Sequence, residues 1–447
     1  MGYTQTHMPS VDYDVIVVGA GPAGISAAIT VARGGLKVLV VDRGAFPGAK
    51  NLFGGIFFTT LLEKLIPDYI QSAPLERHVI TRRFSFLTPD SELALEIKSD
   101  RYNAPAYNAS FTVLCSKFDR WYAAKAQEAG VEMVMGVVVD DVKWDNGCVV
   151  GIKTRTDKDD VFDELSCHAV VCAEGANSLL AEKAGLRKGK SRMNPHNRTV
   201  AVKEVIALPP EIIEDRFHVS GKEGVSIAYF GDAVQGLLGS GFIYTNYDSI
   251  SVGVGCEMQA YMDARIAPYD QLDYFKAHPM IKNLLRGGEV VEYTTHMIPE
   301  DTYDELPQLA TGGLLLAGDS AGLIDNSLYQ EGTNMAMASG ILAGETVVEA
   351  ARKGDFSQAG LSGYRQKLED CFVLEDMRYY KGMLRTLREN KRYLGLYPNT
   401  VAEMLVDLFT VSDKPKSQIK KEAIRKFLKK ISLPRLAWDA WKGRRAI

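Results

Sequence analysis

A segment of six residues near the N-terminus, Gly19-Ala20-Gly21-Pro22-Ala23-Gly24, has the residue types and spacing of a phosphate-binding turn. It follows the apolar run Val15–Val18, and a second apolar run, Val38–Val41, ends in Asp42. Apolar runs of this length are typical of strands buried on both faces, so the pattern predicts a βαβ unit. Gly19 permits the tight turn, Gly21 the approach of a pyrophosphate, and Gly24 the contact between helix and strand. Because Asp42 can accept both ribose hydroxyls, the sequence predicts a dinucleotide site.

Two later strand ends carry residues of the same kind. One buried strand, Ala169–Cys172, precedes Ala173-Glu174-Gly175, and another, Gly313–Ala317, precedes Gly318-Asp319. A carboxylate at the end of a parallel strand can accept hydrogen bonds from the hydroxyl groups of a ligand. Gly332-Thr333-Asn334 opens an alanine-rich helix whose positive N-terminus can face the electron-rich edge of an isoalloxazine ring and favour its reduction. We expect all three segments to bind the cofactor.

The loop after Asp42 is rich in glycine and shows little helix or strand pattern. Such loops lie against cofactors because the missing side chains let the backbone come close. We expect cofactor contacts from four of its residues, namely Arg43, Lys50, Gly54 and Gly55. Val138, in the first strand of a hairpin that Asn146-Gly147 indicates, is a further expected contact.

One motif points to a different chemistry. The segment Gly318-Asp319-Ser320-Ala321-Gly322 also fits the Gly-x-Ser-x-Gly turn of a nucleophilic serine. That hydrolase fold needs its histidine after the serine in the chain, and the last of the seven histidines here is His296. The order of the residues therefore argues against a hydrolase.

From about Val202 to Met297 the pattern becomes strand-like. The runs Ser226–Phe230, Phe242–Tyr247 and Ser249–Cys256 predict an antiparallel meander in a second domain. Within it, the glycines of Gly239-Ser240-Gly241 could leave room for a flat ring, and we expect these three residues to bind the substrate. A β-bulge or bend is the alternative interpretation of the same glycines.

The composition is that of a globular protein with more than one domain. The chain has 447 residues, of which 46% are hydrophobic and 24% charged, and it is too long for one core. No apolar run approaches the roughly 20 residues that span a bilayer, and the polar start lacks a signal peptide, so we expect a cytoplasmic protein. The six cysteines show no Cys-x-x-Cys spacing, and we expect neither a metal site nor an iron-sulfur cluster in this chain.

The C-terminal segment from Lys414 onward is strongly basic. It has twelve Lys or Arg against Glu422 and Asp439, whereas the formal charge of the whole chain is −4. We predict a helix with an apolar stripe from Ile419 to Ile431, broken by Pro434, and then tryptophans beside further basic residues. This composition is typical of a segment that lies in a membrane interface, although docking on the protein body or on a partner subunit remains open.

The order of these motifs resembles that of flavoproteins with the p-hydroxybenzoate hydroxylase fold. Within them, the chain is similar to the FixC and electron-transfer-flavoprotein:quinone oxidoreductase family over about residues 12–380. The closer likeness is carried by five phrases of the sequence: 48–51, 62–67, 73–78, 242–246 and His278-Pro279. The resemblance implies an α/β fold with a Rossmann-type FAD domain, an inserted antiparallel-sheet substrate domain and a helical C-terminal region. We expect the FAD domain at 1–84, 108–202 and 298–352, the quinone domain at 85–107 and 203–297, a helical region at 353–412 and the basic tail at 413–447.

The resemblance also implies a function. In this family, FAD takes electrons from an electron-transfer flavoprotein and passes them to a quinone. The single-chain members end in a cysteine-ligated cluster domain that has no counterpart here, which favours a FixC-like subunit. Such a subunit works with electron-transfer flavoprotein alpha and beta subunits and a ferredoxin-like iron-sulfur subunit, which together split electron pairs from NADH between menaquinone or ubiquinone and ferredoxin. We expect it at the inner face of the cell membrane.

One departure and two alternatives accompany this interpretation. Cys115 stands where relatives often have an arginine ahead of Phe118-Asp119, which puts one FAD contact in doubt. A geranylgeranyl-reductase-like enzyme, which saturates isoprenoid double bonds, would share the fold. The chain could also be a flavin-bearing structural subunit whose electrons do not leave through its own substrate domain.

Overall fold

The computed structural model describes residues 10–50, 55–104, 110–156, 159–187, 194–327, 329 and 331–444. Within them the strands are, in chain order, β1 (Tyr13–Val18), β2 (Val38–Asp42), β3 (Ile56–Phe58), β4 (Leu75–Leu87), β5 (Glu92–Lys98), β6 (Ser110–Val113), β7 (Glu132–Met135), β8 (Val137–Asp145), β9 (Cys148–Thr156), β10 (Asp159–Cys172), β11 (Arg198–Ala207), β12 (Glu223–Gly231), β13 (Gly239–Thr245), β14 (Ser249–Glu257), β15 (Glu289–Pro299), β16 (Ala310–Thr311) and β17 (Leu314–Leu316).

The α-helices of the same residues are α1 (Pro22–Arg33), α2 (Thr60–Leu65), α3 (Tyr69–Ser72), α4 (Cys115–Glu128), α5 (Leu179–Lys183), α6 (Pro210–Phe217), α7 (Met258–Ala264), α8 (Pro268–Ala277), α9 (Lys282–Leu285), α10 (Thr333–Lys353), α11 (Gln358–Leu361), α12 (Gly363–Glu369), α13 (Phe372–Tyr379), α14 (Met383–Glu389), α15 (Leu396–Phe409), α16 (Lys416–Lys430) and α17 (Leu433–Arg444). Short 3-10 turns lie at Asp100–Asn103, Pro195–Asn197, Asp232–Val234, Tyr303–Glu305 and Gly318–Ala321.

The chain divides into two compact units. The first comprises residues 1–75, 113–197 and 297–378, and the second comprises residues 76–112, 198–296 and 379–447. The boundaries expected at 84/85 and 202/203 fall inside β4 and β11, because each of these strands continues without a break through the position at which the hydrophobic pattern changes. The assignment of roles to the two parts of the chain stays a prediction.

The sheet of the first unit has the order β16-β17-β10-β1-β2-β7, and β8 and β9 continue from β10. β1 pairs in parallel with both β2 and β10, and β10 pairs in parallel with β17. The strand residues Val15–Val17 and Val38–Val41 are buried, as expected of a parallel sheet with both faces covered. The predicted βαβ unit is therefore present, and α1 connects β1 to β2.

The hairpin predicted around Asn146-Gly147 is also present. Asn146 and Gly147 have φ angles of 47° and 79°, the left-handed values that a two-residue turn between β8 and β9 requires. β9 then pairs with β10 antiparallel. The strand expected at Ala169–Cys172 is only the last part of β10, because the preceding residues already pair antiparallel with β9.

The sheet of the second unit contains β15-β11-β14-β13-β12-β4-β6 in this order, and β5 pairs with β4. β12, β13 and β14 form the predicted antiparallel meander. The sheet as a whole is mixed, however, because β4 pairs with β12 in parallel. A sequence pattern could not show this pairing, since more than 130 residues separate the two strands.

Helices α15, α16 and α17 end the chain. The predicted helix from Ile419 ends at Lys430, before Pro434, and Pro434 lies in the first turn of α17. Proline is tolerated there because the first N–H groups of a helix have no partner within it. The helix therefore ends ahead of Pro434 as expected, and Pro434 is in addition the second residue of the next helix. Within the described residues, no helix has both the length and the apolar content to cross a membrane.

Candidate cofactor site

The ends of four parallel strands lie side by side in the first unit. Val18 of β1 is opposite Val41 of β2 and opposite Cys172 of β10, and Cys172 is opposite Leu316 of β17. The residues that follow these strands therefore share one edge of the sheet. They are Gly19, Ala173-Glu174-Gly175 and Gly318-Asp319, and Asp42 is the last residue of β2 at the same edge, so the topology brings these predicted residues together. In open α/β sheets, ligands bind at this carboxyl edge.

The turn after β1 has the form of a phosphate cradle. Gly19 has φ +107°, and a Cβ atom added there would lie 2.2 Å from the carbonyl oxygen of Ala173. A Cβ atom at Gly24 would lie 1.9 Å from the carbonyl oxygen of Gly19. Gly21 is the N-cap of α1, and among the described residues no side chain caps this helix. The start of α1 therefore offers uncapped N–H groups beside a closely packed backbone turn, which fits a pyrophosphate.

Asp42 closes the other side of this turn. Its carboxylate accepts a hydrogen bond from the Ala20 N–H at 2.8 Å and another from the Gly44 N–H at 2.6 Å. These bonds fix the carboxylate beside the start of α1. Two carboxylate oxygens can accept about four hydrogen bonds, so the two ribose hydroxyls can still be accommodated.

The carboxylate of Glu174 is engaged in hydrogen bonds within the chain. Its Oε1 accepts hydrogen bonds from the N–H groups of Leu180 at 2.8 Å and Ala181 at 3.0 Å, so it caps the start of α5.

The nearby Cys172 thiol is buried. Its burial, and to a smaller extent the charge of Glu174, raise the pKa of this thiol well above the ordinary value. This thiol therefore stays protonated and is not a nucleophile.

The segment after β17 is held by internal hydrogen bonds. The Gly318 N–H donates to Ser339 Oγ of α10 at 2.9 Å. Ser320 is fully buried, and its hydroxyl bonds to the carbonyl oxygens of Cys172 at 2.7 Å and Ala317 at 2.8 Å. This serine is a structural residue and not an exposed nucleophile, in agreement with the expectation that the chain is not a hydrolase.

The N-terminus of α10 carries an unfilled acceptor. The Asn334 Nδ2 donates to Glu331 at 2.7 Å, and among the described residues its buried Oδ1 has no hydrogen-bond partner. Gly332 is the N-cap, and within the same residues no side chain caps the helix. Buried polar atoms are nearly always paired in native proteins. The orphaned oxygen and the uncapped helix start fit a ligand that donates one hydrogen bond and carries negative charge.

Small residues hold α1 and α10 against each other. A Cβ atom at Gly340 would lie 2.1 Å from the Ala23 carbonyl oxygen, and one at Gly344 would lie 2.9 Å from that of Ala27. Because both contacts advance by four residues, the two helices run in the same direction and their N-termini lie at the same end. Sequence reasoning missed Gly340, Gly344 and Ser339 as positioning residues, although the spacing of the two glycines is that of a close helix contact.

Among the described residues, the others predicted to bind the cofactor show no feature that points to a ligand. Arg43 and Lys50 are exposed, and Gly55 has φ +118°. Val138 lies in β8 opposite Arg155. Gly54 lies outside the described residues. Their contacts with a cofactor stay predictions, as does the effect of Cys115, which is buried at the start of α4.

The glycines expected at the substrate lie in β13 of the second unit. A Cβ atom at Gly241 would lie 3.1 Å from the ring of Phe275, and one at Gly239 would lie 2.2 Å from the Gly255 carbonyl oxygen. A side chain added at either glycine would therefore meet the chain itself, at Phe275 of α8 for Gly241 and at β14 for Gly239. Ser240 points to the opposite face. The substrate contacts predicted for Gly239, Ser240 and Gly241 stay predictions.

The basic tail is partly docked on the second unit. Ile419, Ala423 and Ile431 of the predicted stripe are buried, whereas Ile424 and Leu428 are exposed. Two lysines of α16 pair with acids of α15: Lys426 with Asp407 at 2.8 Å, and Lys430 with Glu403. One face of α16 therefore packs on the protein, and a second face is left outward.

The sequence was compared with family models and with known proteins. Residues 14–205 match the FAD-dependent oxidoreductase model, residues 199–298 the ETF-QO ubiquinone-binding model, and residues 383–447 the ETF-QO/FixC family C-terminal domain. The chain is 40% identical to Protein FixC of Azotobacter vinelandii over 436 residues, covering 97% of this chain and 99% of that protein. It is 38% identical to the probable electron transfer flavoprotein-quinone oxidoreductase YdiS of Escherichia coli K12, with the same coverage of both proteins.

Solved structures share the fold at lower identity. A geranylgeranyl bacteriochlorophyll reductase-like protein from Thermoplasma acidophilum has a TM-score of 0.71 and 22% identity, and the match covers 93% of this chain and 95% of that one. The myxobacterial halogenase CndH has a TM-score of 0.62 and 18% identity, with coverage of 86% and 91%. At these identities the likeness shows the fold alone, and it confirms the predicted fold class.

Proposed function

Since the chain belongs to the ETF-QO/FixC family of FAD-dependent oxidoreductases, we propose that it transfers electrons from an electron-transfer flavoprotein to a membrane quinone. Family membership makes FAD its cofactor and oxidoreductase its enzyme class. The observation that carries the proposal is the shared carboxyl edge of β1, β2, β10 and β17, where two uncapped helix N-termini, the Asp42 carboxylate and the orphaned Asn334 oxygen are brought together in one unit.

The residues at this edge have separate roles in the proposed site. The N–H groups that open α1 bind the pyrophosphate, and Asp42 binds the adenine ribose. Asp319 accepts from the ribityl hydroxyls, and Asn334 Oδ1 accepts an N–H of the ring system. The positive N-terminus of α10 stabilises negative charge there, so that this chain favours the reduced cofactor. When bound, FAD supplies the acceptance and release of electrons, which these side chains cannot provide.

The quinone is proposed to meet the second unit. The match of residues 199–298 to the ETF-QO ubiquinone-binding model supports this location. Gly239, Ser240 and Gly241 of β13 are the proposed quinone contacts, and they lie within the matched range. Menaquinone and ubiquinone are both compatible with this proposal.

We further propose that the chain is the FixC-like subunit of an NADH-driven electron-bifurcating complex. Its partners would be the electron-transfer flavoprotein alpha and beta subunits and a ferredoxin-like iron-sulfur subunit. The relatives named FixC, which this chain matches over nearly their whole length, support the proposal. Purification from native membranes with mass spectrometry tests it. We expect those three subunits to co-purify, and a chain that purifies alone would contradict it.

The tail is proposed to hold the protein at the inner face of the cell membrane. Its outward face carries Ile424 and Leu428 between Lys420, Lys421 and Arg425, and Trp438 and Trp441 of α17 stack at 5.0 Å on the surface. Phe409 at the end of α15 is 81% exposed and Val411 just after it is 85% exposed. Large apolar side chains exposed together favour a covering partner. Apolar rings among cations suit an anionic bilayer surface.

One comparison distinguishes this function from the alternatives. Quinone reduction by the isolated FAD-loaded chain should be measured beside that of the full assembly. Activity in both supports a relay through this chain. Activity in the assembly alone would favour a structural subunit, and saturation of an isoprenoid double bond would favour a geranylgeranyl-reductase-like enzyme.

A further inference from the structure

A buried ion pair of the first unit has no role in the site described so far. Arg187 follows α5 and Asp301 follows β15, and their exposed fractions are 8% and 4%. Arg187 Nη2 lies 3.1 Å from Asp301 Oδ2. A buried ion pair adds little net stability, because the loss of hydration offsets the attraction between the two charges. The pair therefore indicates a role other than stability.

Both charged groups contact the turn that carries Asp319. The Nη2 of Arg187 that meets Asp301 also donates to the carbonyl oxygen of Ser320 at 3.3 Å. A Cβ atom at Gly322 would lie 2.4 Å from Asp301 Oδ2, so the carboxylate packs directly against the end of the turn. The cation therefore contacts the residue that follows Asp319, and the anion contacts the glycine at which the turn ends.

Ser178 gives the same turn a further anchor. Its hydroxyl donates to the Ser320 carbonyl oxygen at 2.8 Å. Ser178 is fully buried and has a φ of 47°, a left-handed value that is uncommon for residues other than glycine. Such a conformation persists only where the surrounding structure fixes it. Two donors from one short segment of chain, Ser178 and Arg187, therefore converge on the carbonyl group next to Asp319.

Charges at this depth act on a cofactor held by the turn. At an effective dielectric constant of about 20, a unit charge about 12 Å away changes an equilibrium constant by about tenfold. Reduction adds negative charge to a flavin. The cation of Arg187 therefore favours the reduced cofactor, and the anion of Asp301 favours the oxidised one. With both charges present, the two effects oppose each other.

We propose that Arg187 and Asp301 are positioning residues for FAD. They fix the turn from Gly318 to Gly322, and their opposed charges set the reduction potential of the cofactor beside it. The proposal rests on the placement of FAD at the carboxyl edge of the first unit's sheet, which is part of the function proposed above. Neither residue has to touch the flavin, because the turn and the electric field of the pair carry the effect.

Two variants that remove opposite charges test this role in the FAD-loaded full chain. Stepwise reduction without oxygen, against a dye of known potential, measures the reduction potential of the bound flavin. Arg187→Met should lower this potential and Asp301→Asn should raise it. Each shift should be about tenfold in the ratio of oxidised to reduced FAD, or ~30 mV for a two-electron couple. A turn that is merely loosened weakens the binding of both redox forms and does not give shifts of opposite sign.

Three further variants serve as controls. Arg187→Lys keeps the cation and should keep the potential near that of the parent. The double variant Arg187→Met with Asp301→Asn removes both charges and should also return the potential to the parent value. Lys183→Met removes a cation at an exposed position of α5, where it pairs with Asp140 at 3.1 Å. Because water screens that charge, the potential should not change.

FAD content and circular dichroism report whether each variant is folded, since removing one partner of a buried ion pair is strongly destabilising. Asp301→Asn keeps the shape of the side chain and one acceptor oxygen, so this variant decides the question if Arg187→Met does not retain FAD. Shifts of the same sign in both single variants, an unchanged potential in FAD-loaded Asp301→Asn, or an equal shift in Lys183→Met would overturn the proposal. Neither an electron-transfer flavoprotein nor a quinone takes part in the titration, so its failure is distinct from a failure of the proposed electron relay.

Discussion

Gly21 has torsion angles, φ −81° and ψ −179°, that any residue can adopt. A larger side chain there does not strain the backbone, but it would fill the space in which we expect the pyrophosphate. We predict that Gly21→Val weakens FAD binding about a hundredfold or more, by ~2.7 kcal/mol, while the apoprotein stays folded.

Equilibrium dialysis with circular dichroism checks this prediction. Gly363→Val is the control, because a Cβ atom at Gly363 meets nothing within 4 Å, and this variant should keep its FAD. A Gly21→Val protein with stoichiometric yellow flavin would contradict the proposed pyrophosphate position.

Asp319 is expected to bind through charged hydrogen bonds. Removing a charged acceptor costs about 1.5–3 kcal/mol, so Asp319→Ala should weaken FAD binding by roughly ten- to a hundredfold, less than Gly21→Val does. Asp145→Ala, an exposed carboxylate at the end of β8, should not change the affinity. Fluorescence titration of the apoproteins measures both, and equal losses in the two variants would count against a ribityl contact.

At the scale of residues, the sequence predicted backbone roles better than side-chain roles. Gly19 and Gly24 are predictable because a motif specifies where a Cβ atom cannot be tolerated. Glu174 and Gly241 remain predicted ligand contacts, but the sequence did not reveal that Glu174 also caps α5 or that Gly241 packs near Phe275. Phe275 lies in a helix distant in sequence from Gly241, so no local rule identifies that contact.

At the scale of elements, the buried carboxylate of Asp439 holds α17 in place through hydrogen bonds. Asp439 binds Arg392 at 2.8 Å and also accepts from the hydroxyl of Tyr397, while Tyr393 donates to its carbonyl oxygen. The hydrogen bonds from the Arg392 guanidinium, above all, lower the pKa of Asp439 from 3.8 to about 2. The sequence predicted a basic tail here and could not reveal that one of its two acids is buried.

We predict that Asp439→Asn destabilises the packing of α17 by about 2 kcal/mol at pH 7, the cost of losing a charged hydrogen-bond partner. Because the pKa is lowered on folding, the stabilisation is complete above the ordinary aspartate pKa and is lost as the pH falls through about 2. The difference from the parent should therefore shrink between pH 4 and pH 2.

Hydrogen exchange of residues 433–444 at pH 7 and urea unfolding at lower pH measure these effects. Asp413→Asn, at an exposed site before α16, is the control and should leave both unchanged. Equal protection of the α17 amides from hydrogen exchange in the parent and in Asp439→Asn would contradict the proposal that Asp439 stabilises the packing of α17.

The outward face of α16 is the element that we expect to bind lipid. Attraction to an anionic surface is worth roughly 1 kcal/mol per basic residue, so Lys420→Glu with Lys421→Glu should lower partition onto anionic liposomes at least about thirtyfold. These lysines are preferable to a truncation at Ser412, because removing α16 and α17 would also expose the face of α15 on which α16 packs.

Liposome sedimentation measures this partition. The control variant Lys64→Glu with Lys353→Glu changes the net charge by the same amount at exposed positions outside the tail. It should have little effect on the partition. Turnover with a short-tailed, water-soluble quinone should survive both pairs of changes. Undiminished sedimentation of the Lys420/Lys421 variant would assign the tail to a protein partner.

At the scale of the whole molecule, the sequence predicted the fold class because its strand, turn and helix patterns agree locally with the final topology. β1, α1 and β2 are the clearest case, since each has a periodic pattern and a specific turn. The mixed character of the second sheet was not predictable, because β4 reaches β12 from a distant part of the chain. The resemblance, rather than the patterns, supplied the electron donor and the acceptor.

The most direct test of the central claim follows the flavin of the full-length protein through two half-reactions without oxygen. We predict that reduced electron-transfer flavoprotein bleaches the absorbance of the bound FAD, and that a short-tailed quinone then restores it, both within the time of steady-state turnover. A flavin that the electron-transfer flavoprotein leaves oxidised, or one that a geranylgeranyl chain reoxidises and a quinone does not, would contradict the account.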